Sequence, residues 1–277
     1  MTPQLSRRLL LAAGAAGLAL PATAADAALP VTAADAALAR AIANPARTPA
    51  FVARDRYRHP ARTLAFFGLN AHLSVLEIQP GAGYWTEILA PYLQAHGAYR
   101  VAIPPAPASA AREARAIDAY LQKLQADPSD YGKVIVTPFT DGTPLAPPGS
   151  VDLVLSFRNL HDWLSDGTAS AKLAAIYAAL KPGGVFGIED HRGLTSAPQD
   201  PRAKSGYVRE DYAIALIEQA GFTLAARSTV GDNPRDIKNY PKGVWTLPPT
   251  LALGAVDRPK YLAIGESDRW TLRFVKP

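Results

Sequence analysis

The chain has 277 residues, 48% of them hydrophobic and 19% charged, and no cysteine. That composition supplies one sizeable globular core and excludes disulfides, thiolate metal sites, a cysteine nucleophile and a cysteine-linked lipid anchor. The formal charge is +5; setting aside Arg7 and Arg8, 27 Lys+Arg face 24 Asp+Glu, and no dense basic block argues for nucleic acid.

Arg7-Arg8 precede a short apolar run, 9–20, and Ala22-Thr23-Ala24 gives a small-x-small cleavage site. This reads as a signal peptide over 1–24, because the run is shorter than the ~20 residues a bilayer core needs. "SRRLLL" is similar to a twin-arginine signal, so the protein is expected in the periplasm, exported folded and without integral membrane association after cleavage.

A helix is predicted over 32–44, capped by Thr32 and ended by Asn44-Pro45. The run "RDRYRH", 54–59, reads either as a solvated turn with Asp55 paired to an arginine, or as a cationic lid over an acidic ligand. A short helix then ends at Gly68. Strands are predicted over 75–78, 99–103, 133–138, 151–156, 185–188, 222–230 and 271–275. Helices are predicted over 84–96, 108–125, 169–180 (closed by "KPGG") and 210–220. Segment 232–268 reads as a long excursion, ordered only if the body pins it. The expected division is a leader, 1–24, a helical arginine-rich cap, 25–60, and an α/β domain, 61–277. Strands that are apolar throughout are buried on both faces, which implies a doubly wound, mostly parallel sheet. Ligands in such sheets bind beyond the carboxyl ends of the strands.

"VLEIQPGAGYWTE", 75–87, is a strand, a glycine turn and a helix start. Gly81 and Gly83 allow backbone to approach a ligand. A dinucleotide fingerprint is poorly matched: Thr86 replaces its third glycine, and "AIPPAPAS" offers no acid after the next strand.

The same run resembles motif I of class I S-adenosylmethionine-dependent methyltransferases. "PFTDGTPLAPPGSVDLVLSF", "NLHDWL", "LKPGGVFGIEDH" and "REDYAIALIEQAGFTLAARS" resemble later parts of that family in order, over about 60–277. "EIQPGAGYWTEILAPYL", "FRNLHDW" and "DRWTLRFVKP" are similar to a narrower group of exported bacterial predicted methyltransferases. The resemblance implies a seven-stranded Rossmann-like sheet with an antiparallel C-terminal strand. It also implies S-adenosylmethionine as cofactor and a small-molecule substrate. Carried over, Glu77, Gln79, Gly81 and Gly83 form the cofactor loop, Asp141 meets the adenine amino group, and Asn159 lies beside the methionine part. Two positions depart from the pattern: Gln79 stands where the loop has its first glycine, and Pro104-Pro105 stand where an acid holds both ribose hydroxyls.

A neutral oxygen or nitrogen nucleophile needs a base within hydrogen-bond reach. His161 and His191, with Asp162, Glu189 and Asp190 beside them, fall at one sheet edge, and His161, Asp162, Asp190 and His191 are the catalytic candidates. "HDW" and "EDH" also permit oxygen and nitrogen metal ligands, but no spacing motif supports one, and none is expected. Of the tryptophans, 85, 163, 245 and 270, only Trp163 is expected at the active edge. The competing reading is a non-catalytic ligand-binding protein on a methyltransferase fold. A hydrolase of the G-x-S-x-G or H-E-x-x-H type is disfavoured because neither motif occurs.

Overall fold

The structure is a computed structural model, described over residues 35–105, 111–140 and 142–277. The leader, the predicted cap Thr32 and Asp141 lie outside the described residues. A seven-stranded sheet runs β1 (Ser74–Ile78), β2 (Ala98–Ile103), β3 (Ile135–Pro138), β4 (Val151–Phe157), β5 (Leu180–His191), β6 (Thr223–Ser228) and β7 (Arg269–Val275). Its spatial order is β3-β2-β1-β4-β5-β7-β6. β1 to β5 pair in parallel, and β7 is antiparallel to both β5 and β6. This is the doubly wound, mostly parallel sheet expected from the apolar runs, with the antiparallel C-terminal strand.

Alternation along the strands divides the core in two. Leu76 and Ile78 of β1 face one cluster with Val154, Trp163, Ile188 and Trp270; Val75 faces the other with Leu64, Trp85, Leu89 and Phe157. Strand order reverses between β1 and β4, and a crevice opens there, as in other open α/β sheets.

Two local readings change, and two segments left open by the sequence take definite form. The first described helix, Ala36–Ile42, is capped by Asp35, whose carboxylate accepts from Ala37 N at 2.9 Å. "KPGG" does not separate a helix from a strand: β5 begins at Leu180 and runs through it, so Glu189, Asp190 and His191 are strand residues paired with Thr271, Trp270 and Arg269. "LHDWL" opens a helix, Leu160–Asp166, whose buried face is Leu160, His161, Trp163 and Leu164. The excursion 232–268 is pinned at Asp236, which accepts from the Tyr207 hydroxyl at 3.0 Å and from Asp268 N at 2.9 Å. It carries a short helix, Arg258–Ile264.

The run 54–59 is not a solvated turn. Asp55 does pair with an arginine, but with Arg47, at 2.8 Å, and it also accepts from the Tyr84 hydroxyl at 2.6 Å. That anchor turns Arg58 inward, where it is 3% exposed and stacks over the Tyr84 ring.

Candidate functional site

Two cavities open beyond the carboxyl ends of the central strands. One, of about 140 Å³, lies over the glycine turn and is lined by Arg54, Arg58, Gln79, Gly81, Trp85 and Arg158, among others. The other, of about 200 Å³, lies beyond β4 and β5 and is lined by Arg158, His161, His191, Trp245, Glu266 and Ser267, with flanking prolines. Arg158 borders both.

The turn is built by backbone that L-residues rarely adopt. Gln79 has φ 49° and Gly81 φ 59°. Gln79 therefore keeps the left-handed conformation that glycine would take there, at a cost of order 1–3 kcal/mol. Its side chain compensates by accepting from Trp163 Nε1. A Cβ on Gly81 would meet nothing within 4 Å, so that side is open to a ligand. Gly83 differs: a Cβ there would come within 3.0 Å of the Tyr120 ring, so a side chain already covers it. Arg158, directly after β4, is also left-handed, with φ 62°, held by its N–H donating to Glu189 O at 2.7 Å.

Glu77 lines the first cavity but is 1% exposed. The Tyr99 hydroxyl donates to its Oε2, and Thr86 Oγ1 lies 3.5 Å away, itself in contact with Tyr99 and Tyr120. Burial raises its pKa to about 7, against the opposing effects of Tyr99 and Arg58. Asn159 lines the same cavity, yet its amide nitrogen is turned inward: Nδ2 donates to Ile78 O at 2.8 Å and to Ser156 Oγ at 3.1 Å, tying the ends of β1 and β4 together.

In the second cavity His161 and Asp190 form a buried pair. His161 Nδ1 lies 2.9 Å from Asp190 Oδ1, and His161 N donates to Oδ2 at 3.0 Å. With Nδ1–H given to Asp190, Nε2 is left as the acceptor. Burial disfavours the imidazolium, but Asp190 and then Asp162 outweigh it and raise the His161 pKa. Asp162 stands apart: its side chain is 55% exposed, 3.4 Å from His161 Nε2. His191 packs 5.1 Å from the His161 ring and shares a 2.5 Å bond with Ser267 Oγ. Its pKa is driven well down by burial, then by His161 and Arg158, so it is neutral. His161, Asp190 and His191 have ligand atoms within 4.8 Å of one another, a set compatible with a metal ion. The guanidinium groups alongside oppose a cation there.

Trp163 is fully buried under the turn, whereas Trp245, 37% exposed, faces His161 at 6.0 Å between ring centres. The tryptophan at the second cavity is thus Trp245, brought in by the excursion. The larger surprise is the arginine cluster. Glu266 Oε1 accepts from Arg54 Nε at 2.6 Å, and Glu266 Oε2 accepts from Arg269 Nη1 at 2.9 Å and lies 3.6 Å from Arg58 Nε. Arg269 Nε lies 3.4 Å from Glu189. Burial would raise the Glu266 pKa, but Arg58 and Arg269 prevail and hold it ionised. Sequence spacing gave no sign of this cluster beyond the cationic run itself.

No family model and no curated protein matches the chain. Solved structures do. A SAM dependent methyltransferase from Aquifex aeolicus is 16% identical, covering 81% of this chain and 93% of its own, with a TM-score of 0.54. The [4+2]-cyclase SpnF is 14% identical, covering 78% and 79%, with a TM-score of 0.55. A possible exported protein from Bordetella parapertussis is 18% identical, covering 84% and 71%, at a TM-score of 0.48. The fold is that of the class I S-adenosylmethionine-dependent methyltransferases.

Proposed function

We propose that this chain is an S-adenosylmethionine-dependent methyltransferase acting on a small molecule. The observation that carries the reading is the pair of cavities that share Arg158, one over the glycine turn at the β1/β4 switch point and one beyond β4 and β5 lined by His161, which Asp190 backs. Buried guanidinium nitrogens without a partner, Arg54 Nη2 and Arg58 Nη2, suit the cofactor's carboxylate. Gly81 lets backbone approach it, and Gln79, Glu77 and Asn159 line its methionine end. The ribose end fits less well, because Pro104 and Pro105 offer neither carboxylate nor N–H. Asp141 is the proposed adenine contact.

When bound, the cofactor would supply a methyl group activated by its sulfonium to an oxygen or nitrogen acceptor. His161 Nε2 takes the acceptor's proton, and Asp190 holds the ring and balances the imidazolium that results. Trp245 covers the acceptor side and limits water. His191 and Asp162 orient the edge of that site. We further propose that 1–24 is a signal peptide, that 25–60 caps an α/β domain at 61–277, and that the mature protein is periplasmic; N-terminal sequencing of protein recovered from the periplasm tests this.

Pro104-Pro105 favour one second reading, a ligand-binding protein that no longer turns over. SpnF, a cyclase of similar fold, illustrates that the fold hosts other chemistry. Calorimetric titration of unfolded and refolded residues 25–277 with S-adenosylmethionine and S-adenosylhomocysteine decides between them. Dissociation constants of ~1–100 μM support the transferase. No detectable heat with either sends the reading to the second.

A further inference from the structure

Arg158 is an unbalanced cation. Among the described residues its guanidinium has no hydrogen-bond or ion-pair partner, and its Nε is buried. Arg54, Arg58 and Arg269 lie around it with only two carboxylates, Glu189 and Glu266, to share. Four guanidinium groups against two carboxylates leave the cluster positive. Arg58, 3% exposed, keeps Nε and Nη2 unsatisfied. Burying charge and unmet donors in this way is costly unless something compensates. Beyond the cluster, Asp190 is already engaged by His161 and by His191 N, and Glu77, which lines the first cavity, accepts from the Tyr99 hydroxyl. Arg158 lines both cavities, and its backbone there is held in the left-handed region by its N–H donating to Glu189 O.

We propose that the second cavity takes an anionic molecule, a carboxylate- or phosphate-bearing compound whose acidic group docks on Arg158 while its nucleophilic atom faces His161. Its role as methyl acceptor rests on the transferase reading above; the anion pocket itself does not. A planar fork suits either oxyanion, because guanidinium offers two parallel N–H groups. Trp245, Pro248 and Pro249 supply an apolar wall for the rest of the molecule. A neutral compound can accept a hydrogen bond from Arg158 but leaves its charge uncompensated, so the pocket discriminates by charge.

The test is calorimetry on the full refolded chain with three probes, benzoate, inorganic phosphate and benzamide, each with and without saturating S-adenosylhomocysteine. Benzoate or phosphate is expected to bind at least about ten-fold more tightly than benzamide, the difference expected for one charge-assisted bond. Which anion binds better identifies the acidic group. Arg158→Gln is expected to remove that preference, and Arg158→Lys to restore part of it. Equal affinity for benzoate, phosphate and benzamide in the wild type overturns the proposal whatever the variants do. So does an undiminished anion preference in folded Arg158→Gln. S-adenosylhomocysteine binding, read on the same samples, separates the two readings. Anion preference without S-adenosylhomocysteine binding supports the pocket and defeats the transferase. S-adenosylhomocysteine binding without anion preference does the reverse.

Discussion

Replacing Glu77 with glutamine tests how the glycine-turn cavity is built. The side chain is 1% exposed, and burial raises its pKa from the ordinary 4.5 to about 7. Because the folded-state value lies above the unfolded one, the native state holds the proton more tightly between those two pH values. Stability therefore falls as pH rises from 4.5 to 7 and then levels off. At about 1.4 kcal/mol per pKa unit, the carboxylate lowers stability by about 3 kcal/mol at pH 8 relative to pH 4.5. Glu77→Gln keeps the acceptor for the Tyr99 hydroxyl and has no charge to bury. Urea unfolding of both proteins across pH 4.5–8.5 is the assay. The stability of Glu77→Gln minus that of the wild type should grow by about 3 kcal/mol over this range. A difference that stays constant within about 1 kcal/mol would refute the assignment of a charge-averse pocket to the base of the turn.

Three other perturbations follow from the same geometry. Gly81→Ala is expected to cost about 1–2 kcal/mol from its left-handed φ alone, and to weaken S-adenosylhomocysteine binding. Gly83→Ala should cost more, because it displaces Tyr120; thermal melts and calorimetry on both variants check the order. Asp190→Asn should lower the His161 pKa, seen as a downward move of its NMR titration, and should shift the rising limb of any activity profile to lower pH while reducing its plateau. An unmoved titration would show that Asp190 does not set the base. Asn159→Ala leaves Ile78 O without its buried donor and should destabilise by about 1–3 kcal/mol in urea unfolding, mostly through loosening of β1 against β4.

The sheet was legible because Val75–Ile78, Val151–Ser156 and similar runs are apolar on both faces, and only a covered parallel sheet accommodates that. The His161–Asp190 pair was half legible: both residues were singled out, but their contact depends on a helix start meeting the end of β5, which spacing alone does not encode. The extent of β5 was misread: the helix does end at Ala179, just before "KPGG", but Leu180 already pairs with Val151 of β4, and pairing with β7 carries the strand on from Val185 to His191. The arginine cluster was missed for the same kind of reason. Arg54 and Arg58 look solvated in a run of charges; what buries them is Glu266 and Arg269, more than 200 residues away. Trp245 was passed over because its segment has no periodicity, and its place comes from the Asp236 anchor.

That span between Arg54 and Glu266 has a consequence for how the protein is made. Arg54 and Arg58 emerge from the ribosome more than 200 residues before their carboxylate partner Glu266 and the neighbouring Arg269. At about 5–20 residues per second, the chain spends many seconds with its first strands complete and its cationic wall unclosed. What is late is not the lining of the cavity, which comes from residues 51–159, but the carboxylate that holds its arginines. A ribosome-bound chain arrested before residue 266 should therefore hold an anionic ligand there less tightly than the same chain carried past Arg269.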